Sequence, residues 1–178
     1  LGLFRPVPWG EEITVRTWPS GVKGRLTATR DFTARDSSGA ETLRGVSEWM
    51  TVDLAARRLV KLPAVVTALA PEGTPHVELP ESGGKFAALG KIDERVPVRV
   101  RRSDHDFNDH VNNVHYIEWL LEPLESAEVS SIEIIFRSET LAGDEVRVEC
   151  ARLDETTTCH RVFSPDGADH AVAVLSAR

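Results

Sequence analysis

The sequence predicts an α+β fold in which an antiparallel sheet curls around a helix. Three observations support this prediction. Most of the chain alternates between apolar and polar residues with the period of two that is typical of strands, one segment alone has the pattern of a strong helix, and the strand pattern occurs twice. A single buried helix beside a long antiparallel sheet is an α+β arrangement.

The strand pattern forms an internal repeat. Residues 10–16 (GEEITVR) resemble residues 143–149 (GDEVRVE), and each stretch leads into a second strand-like segment. A turn follows in each copy, DSSG at Asp36–Gly39 and SPDG at Ser164–Gly167, and then another strand. Each copy therefore predicts an acidic turn, two strands, a hairpin turn and a third strand.

Eight segments are predicted as strands from this alternation. They cover roughly residues 11–18, 24–35, 41–53, 95–104, 132–138, 143–153, 156–163 and 169–177. Residues 63–90 connect the copies, because they begin with a short helical stretch (PAVVTALA) and continue through PEG and LPESGG, which interrupt regular structure. The predicted division is a first unit at 1–72, a linker at 73–91 and a second unit at 92–178.

The strong helix is predicted from about Asp109 to Leu124, with Asn108 or Asp109 as its N-cap and Pro123 marking its end. Apolar residues cover nearly its whole circumference, namely Val111, Val114, Tyr116, Ile117, Trp119, Leu120 and Leu121. A helix that is apolar all round is expected to be buried. Only nine residues precede Gly10, so the first unit is expected to lack the strand and helix that precede Gly143 in the second.

Composition restricts the classes of function. The 178 residues are 41% hydrophobic and 28% charged, as in globular proteins. A net charge of −7 disfavours nucleic acid and anionic membranes, which attract positive potential. No apolar run approaches the ~18 residues of a membrane span, and the first residues lack signal-peptide features. The spacing of Cys150 and Cys159 favours structural thiols in a reducing compartment.

Residues 103–119, SDHDFNDHVNNVHYIEW, form the strongest candidate for a functional site. Asp106, Asn108 and His110 alternate along the segment that enters the helix, so their side chains are expected to share one side. Histidine titrates near neutrality, an amide can polarise a carbonyl, and the N–H groups of a helix start can hold an oxyanion. This combination is typical of hydrolases.

Two other interpretations of the same segment remain open at this point. Asp104, Asp106, Asn108 and Asp109 are also ordinary turn and capping residues. A metal site is disfavoured, because His110 and His115 are five residues apart and lack the i, i+4 spacing of helical zinc ligands.

A family resemblance decides among these interpretations. Residues 101–122, RRSDHDFNDHVNNVHYIEWLLE, resemble the signature of acyl-acyl carrier protein (acyl-ACP) thioesterases, in which Asp-x-Asn-x-His-Val-Asn-Asn enters a Tyr-x-x-Trp helix. The stretches WGEEITVRTWPSGVKGRLTATRDF and SEWMTVDLAARRLVKLP resemble the amino-terminal half of that family. The resemblance implies tandem hotdog folds, each an antiparallel sheet wrapped around a central helix.

Position by position, the resemblance implies a catalytic set of Asp106, Asn108, His110 and Glu139. The family's Arg-x-Glu-Cys segment reads Arg137-Ser138-Glu139-Thr140 here, so threonine replaces the cysteine and the reaction must activate water. The resemblance assigns Asn112 and Asn113 no role beyond hydrogen bonds at the helix start.

The implied activity is hydrolysis of acyl-ACP in fatty acid biosynthesis, with no cofactor and no metal. Arginine and lysine clusters could contact the acidic carrier, one at Arg57, Arg58 and Lys61 and another at Arg99, Arg101 and Arg102. The alternatives are an acyl-CoA thioesterase and a non-catalytic acyl-binding hotdog protein. A bacterial cytoplasm is the expected location, a plastid stroma is the alternative, and a homodimer is one arrangement left open.

Overall fold

The computed structural model divides into two compact units, Leu1–Pro80 and Glu81–Arg178, which are described separately. The division falls inside the predicted linker at 73–91, and the assignment of the units to two domains stays a prediction. The structure describes residues 1–53, 55–69, 72–79, 86, 89–107, 109–124 and 128–178.

The first unit is an antiparallel sheet with one short helix. Its elements are β1 (Gly2–Leu3), β2 (Ile13–Lys23), β3 (Thr27–Asp36), β4 (Glu41–Asp53), β5 (Arg58–Val60) and α1 (Ala64–Thr67). The strand order is β2-β3-β4-β1, and β5 pairs with β4. The predicted helix PAVVTALA is therefore a single turn, since only Ala64–Thr67 are helical and Ala68 is the C-cap.

The second unit is an antiparallel sheet with one longer helix. Its elements are β6 (Glu94–Arg99), a 3₁₀ turn (Arg102–Asp104), α2 (Asn113–Leu121), β7 (Val129–Phe136), β8 (Glu145–Arg152), β9 (Thr157–Phe163) and β10 (Asp169–Ala177). The strand order is β7-β10-β9-β8-β6. Among the residues described, no helix is long and apolar enough to cross a membrane.

The sequence repeat is present as two three-stranded segments, β2-β3-β4 and β8-β9-β10. Glycines with positive φ occupy matching turns in the two copies. Gly10 (φ +86°) and Gly143 (φ +87°) precede the first strand, and Gly39 (φ +87°) and Gly167 (φ +90°) precede the third. This backbone conformation carries no steric cost for glycine, which explains why the repeat retains glycine at these turns.

The predicted start of the helix is wrong by about one turn. Asp109 has φ +60°, a left-handed conformation that a right-handed helix cannot contain. Val111 instead forms an isolated antiparallel bridge with His105. The N-cap is Asn112, whose side-chain oxygen accepts a hydrogen bond from the Val114 N–H at 3.1 Å.

The helix α2 is buried along one side rather than all round, contrary to the sequence prediction. Tyr116 and Leu120 are buried, whereas Val114 is 50% exposed. The helix packs against β9. Many of the deeply buried apolar residues of this unit lie on β8, β9 and β10, among them Val146, Val148, Val162, Ala171, Ala173, Val174 and Leu175. These residues and the buried side of α2 form the apolar core beside the predicted site.

The predicted strand at 95–104 ends at Arg99. Residues 102–104 turn in a 3₁₀ conformation, and the carboxylate of Asp104 accepts a hydrogen bond from the Arg101 N–H at 2.7 Å. Asp104 is buried. This turn redirects the chain from the sheet toward the segment with the predicted catalytic residues.

Candidate active site

The predicted residues Asp106 and His110 belong to a loop that folds back on itself before α2, which we call the motif loop (described residues 104–107 and 109–112). Its base is closed by the Asn112 N–H, which donates to the Asp104 carbonyl at 2.8 Å. Further along, the Asp106 N–H donates to the His110 carbonyl at 2.8 Å. Backbone hydrogen bonds therefore close the base of the loop and link Asp106 to His110.

The structure brings His110 and Glu139 together. The two residues are 29 positions apart in the sequence, yet His110 Nε2 lies 3.2 Å from Glu139 Oε2. Their side chains are 43% and 40% exposed, so solvent reaches both groups. A carboxylate at this distance can orient the imidazole ring and exchange a proton with it.

Asn108 lies outside the described residues, so its predicted place beside His110 stays a prediction. Asp106 is partly exposed and adjoins His110 through the backbone. The structure describes no group of three or more histidine, cysteine or carboxylate side chains arranged to bind a metal.

The backbone of Glu139 is anchored through its neighbour Thr140. Thr140 is fully buried, and its hydroxyl accepts a hydrogen bond from the Tyr116 hydroxyl at 2.7 Å. Its carbonyl accepts from the Val111 N–H at 3.1 Å. The residue that stands in place of the family's cysteine therefore joins the helix and the motif loop to the Glu139 segment.

Tyr116 was predicted only as part of the apolar surface of the helix, and its hydroxyl contact with Thr140 is seen first in the structure. Burial raises the pKa of Tyr116, so the hydroxyl stays protonated and continues to donate through the neutral range. The ring also lies edge-on to Phe136, with 5.5 Å between the ring centroids.

His110 and Glu139 line a small open pocket of about 260 Å³. The remaining lining residues are Val111, Asn113, Tyr116, Phe136, Arg137 and Ser138. Ligand pockets for drug-sized molecules usually measure about 300–1,000 Å³. The pocket is therefore of a size to hold the reacting end of a substrate beside the His110–Glu139 pair.

One residue at the start of α2, Asn113, lines this pocket. The N–H groups of Asn112, Val114 and His115 donate to Asp104 and Asn112. The N–H of Asn113 has no acceptor within the part of the chain that the structure describes. Such a donor at a helix start can stabilise a developing oxyanion.

Comparison with known families agrees with the resemblance in the motif loop. The model of the acyl-ACP thioesterase C-terminal domain matches residues 90–175, and the model of the acyl-ACP thioesterase N-terminal domain matches residues 1–69. The chain belongs to the acyl-ACP thioesterase family.

Characterised relatives carry the same family name. The chain is 30% identical over 195 residues to the chloroplastic oleoyl-acyl carrier protein thioesterase of Coriandrum sativum, across 100% of the chain and 52% of the relative. It is 38% identical over 154 residues to the chloroplastic palmitoyl-acyl carrier protein thioesterase of Arabidopsis thaliana, across 81% of the chain and 35% of the relative. The chain thus spans about half the length of the first relative and about a third of the length of the second.

The fold also matches a solved structure of this family. The 12:0-ACP thioesterase from Umbellularia californica superimposes with a TM-score of 0.79 at 23% sequence identity, and the match covers 99% of this chain and 72% of that one. The chain therefore shares with this solved structure an architecture of extensive antiparallel sheet with few helices.

Proposed function

We propose that the chain hydrolyses the thioester of acyl-ACP and releases a free fatty acid. The observation that carries this proposal is the His110–Glu139 pair at 3.2 Å on the wall of the pocket. Membership of the family supplies the substrate class. Thioesters suit such a site, because their thiolate leaves without strong prior protonation.

In the proposed reaction, Glu139 takes a proton from a water molecule with the help of His110. The oxygen of that water attacks the thioester carbonyl carbon. The Asn113 N–H donates to the carbonyl oxygen as it becomes negative. The C–S bond then breaks, the proton passes to the departing thiolate, and the products are a carboxylic acid and the carrier thiol. In this proposal Asn108 holds the thioester carbonyl and Asp106 orients its neighbours.

Water is the proposed nucleophile because Thr140 is unsuited to this role. Its side chain is fully buried and its hydroxyl is bonded to Tyr116. Cys150 and Cys159 are also buried, and neither lines the pocket beside Glu139. In the proposed reaction, therefore, no acyl-enzyme intermediate forms on Thr140 or on either cysteine.

We also propose that each unit is a hotdog fold and that acyl carrier protein docks near the motif loop. Arg99, Arg101 and Arg102 directly precede the loop and are exposed, which supports an approach of the acidic carrier to this side. The proposed location is a bacterial cytoplasm or a plastid stroma.

The test is thiol release from acyl-ACPs and acyl-CoAs of graded chain length, with the wild-type chain and the variants Glu139→Gln and His110→Ala. We expect turnover of acyl-ACP by the wild type and its loss in both variants. Preference for acyl-CoA would change the carrier assignment, and full turnover by both variants would overturn the proposed site.

A further inference from the structure

His170 lies at an irregularity of β10 directly behind the Glu139 segment. Asp169 pairs with Phe163 and Ala171 pairs with Val162, so His170 is the extra residue of a β-bulge. Bulges redirect side chains and are frequent beside active sites. The His170 side chain is directed inward, since the residue is 7% exposed.

The imidazole of His170 holds the Glu139 backbone. Its Nδ1 lies 2.9 Å from the Glu139 carbonyl oxygen and 3.1 Å from the Ser138 hydroxyl. Because a carbonyl oxygen accepts and cannot donate, Nδ1 carries the proton in this contact. The Ser138 hydroxyl donates onward to the Asp169 carbonyl at 3.0 Å.

Glu139 depends on such contacts because it lies beyond the end of β7 at Phe136. The His170 carbonyl accepts from the Arg137 N–H at 2.8 Å and from the Ser138 N–H at 3.3 Å. The main chain of His170 therefore continues the hydrogen bonding between β10 and the segment after β7. The His170 ring adds a further hydrogen bond at the Glu139 carbonyl. Displacement of a reacting group by about 1 Å can cost about 100-fold in rate.

The first unit provides an internal comparison. Ala34 pairs with Leu43 and Arg35 pairs with Glu41, so Thr42 is the extra residue of a bulge at the matching place on β4. Its hydroxyl donates to the Ala34 carbonyl at 3.3 Å, on the neighbouring strand β3. A short side chain therefore suffices for the bulge, and the longer imidazole occurs in the copy that contains His110 and Glu139.

The other ring nitrogen argues against a purely stabilising role. His170 Nε2 is buried and has no hydrogen-bond partner among the described residues. An unsatisfied buried polar atom destabilises the folded state. An apolar residue at this position would avoid that cost but could not hold the Glu139 carbonyl.

We infer that His170 is a positioning residue, whose Nδ1–H fixes the Glu139 backbone so that the carboxylate stays against His110. This inference rests on the proposed function, because Glu139 has to take part in hydrolysis for its position to affect the rate.

The test compares His170→Leu, which removes the donor, with His170→Asn, whose side-chain N–H occupies nearly the place of Nδ1. We expect His170→Leu to lower kcat for acyl-ACP by about tenfold or more, with KM within about twofold and an unchanged or higher melting temperature. His170→Asn should recover most of kcat. Thr42→Val, at the matching bulge of the first unit, is the control and should leave kcat unchanged.

A second readout is independent of turnover. The ring ¹⁵N signals of His110 report its contact with Glu139, and His170→Leu should shift them in the direction seen in Glu139→Gln, while His170→Asn should leave them in place. Unshifted signals and wild-type kcat in His170→Leu would overturn the inference, as would a kcat loss that follows a fall in melting temperature. Full activity of Glu139→Gln would instead overturn the proposed function.

Discussion

The N–H of Val111 donates to the carbonyl of Thr140 at 3.1 Å, and each of these residues directly follows one member of the His110–Glu139 pair. A single backbone hydrogen bond therefore sets the spacing between the motif loop and the segment after β7. Because backbone atoms have less conformational freedom than long side chains, this bond keeps the His110 imidazole and the Glu139 carboxylate close to each other.

The first prediction concerns the pair itself. Glu139→Gln keeps the size of the side chain but removes the base, so kcat for acyl-ACP should fall by about 100-fold or more while KM changes little. His110→Ala should show a loss of similar size, because the two groups act as one unit.

A second histidine–glutamate pair supplies the matched control. His115 Nδ1 lies 2.8 Å from Glu118 Oε2 on α2, and neither residue lines the pocket beside Glu139. The variants His115→Ala and Glu118→Gln should keep wild-type kcat. If these variants lost as much kcat as His110→Ala, the effect would not be specific to the His110–Glu139 pair and the prediction would be wrong.

The second prediction concerns the hydroxyl pair of Tyr116 and Thr140. Tyr116→Phe removes the donor of a buried hydrogen bond, so the free energy of unfolding should fall by about 1 kcal/mol in urea denaturation. Thr140→Val should have a similar effect. The double variant should lose less than the sum, because both changes remove the same bond.

A pair of substitutions at residues that share no hydrogen bond provides the control for the stability losses. Tyr116→Phe combined with Thr42→Val, a residue of the first unit, should show losses that add within about 0.5 kcal/mol. If Tyr116→Phe and Thr140→Val also add fully, the hydroxyl contact contributes nothing to stability.

The strand pattern was readable from the sequence because period-two alternation and turn glycines are local properties. The resemblance placed His110 and Glu139 in one catalytic set, and the structure brings their side chains to 3.2 Å, while their catalytic role stays a prediction. The helix start was misplaced because Asp109 is a residue type that commonly caps helices and the segment after it leads directly into the apolar pattern of the helix. Only the left-handed backbone of Asp109 and the bridge from Val111 to His105 exclude this stretch from the helix.

The contacts behind the pair could not be read from the sequence. His170 occurs as a lone histidine in a strand, and its inward direction depends on a bulge that is defined by pairing with β9. Thr140 looked only like the loss of a cysteine, whereas its carbonyl and hydroxyl join three segments. Such roles depend on contacts between distant segments, which spacing along one strand does not reveal.

The third prediction is that thiol reagents leave hydrolysis unaffected. Both cysteines are buried, and burial raises the pKa of Cys150 to about 11 and also raises that of Cys159. Neither thiol therefore forms a reactive thiolate near neutral pH. After treatment with iodoacetamide, the native protein should keep its activity and its unmodified mass, and the urea-unfolded protein should gain two adducts. Loss of activity on alkylation of the native protein would require a catalytic thiol.

The last prediction concerns acid stability and His160. This residue is fully buried, and burial lowers its pKa from 6.5 to about 4. Its Nε2 lies 2.8 Å from the Thr158 hydroxyl and 3.6 Å from Cys150 Sγ, so neutral groups surround this nitrogen. Between these pH values the unfolded chain binds a proton that the folded chain does not. The contribution of neutral His160 is therefore complete above about pH 6.5 and is lost as the pH falls toward 4.

A pKa difference of this size corresponds to about 3 kcal/mol of unfolding free energy. Urea denaturation of the wild type between pH 7 and pH 4 should show this fall, and His160→Gln should lower stability at pH 7 but flatten the decline. His115→Gln, which changes a histidine outside the core, should keep the wild-type slope. An equally steep decline in His160→Gln would assign the acid sensitivity to other groups, such as Asp36 and Asp154, because hydrogen bonds in the folded state lower the pKa of these carboxyls and unfolding toward pH 4 then takes up protons there as well.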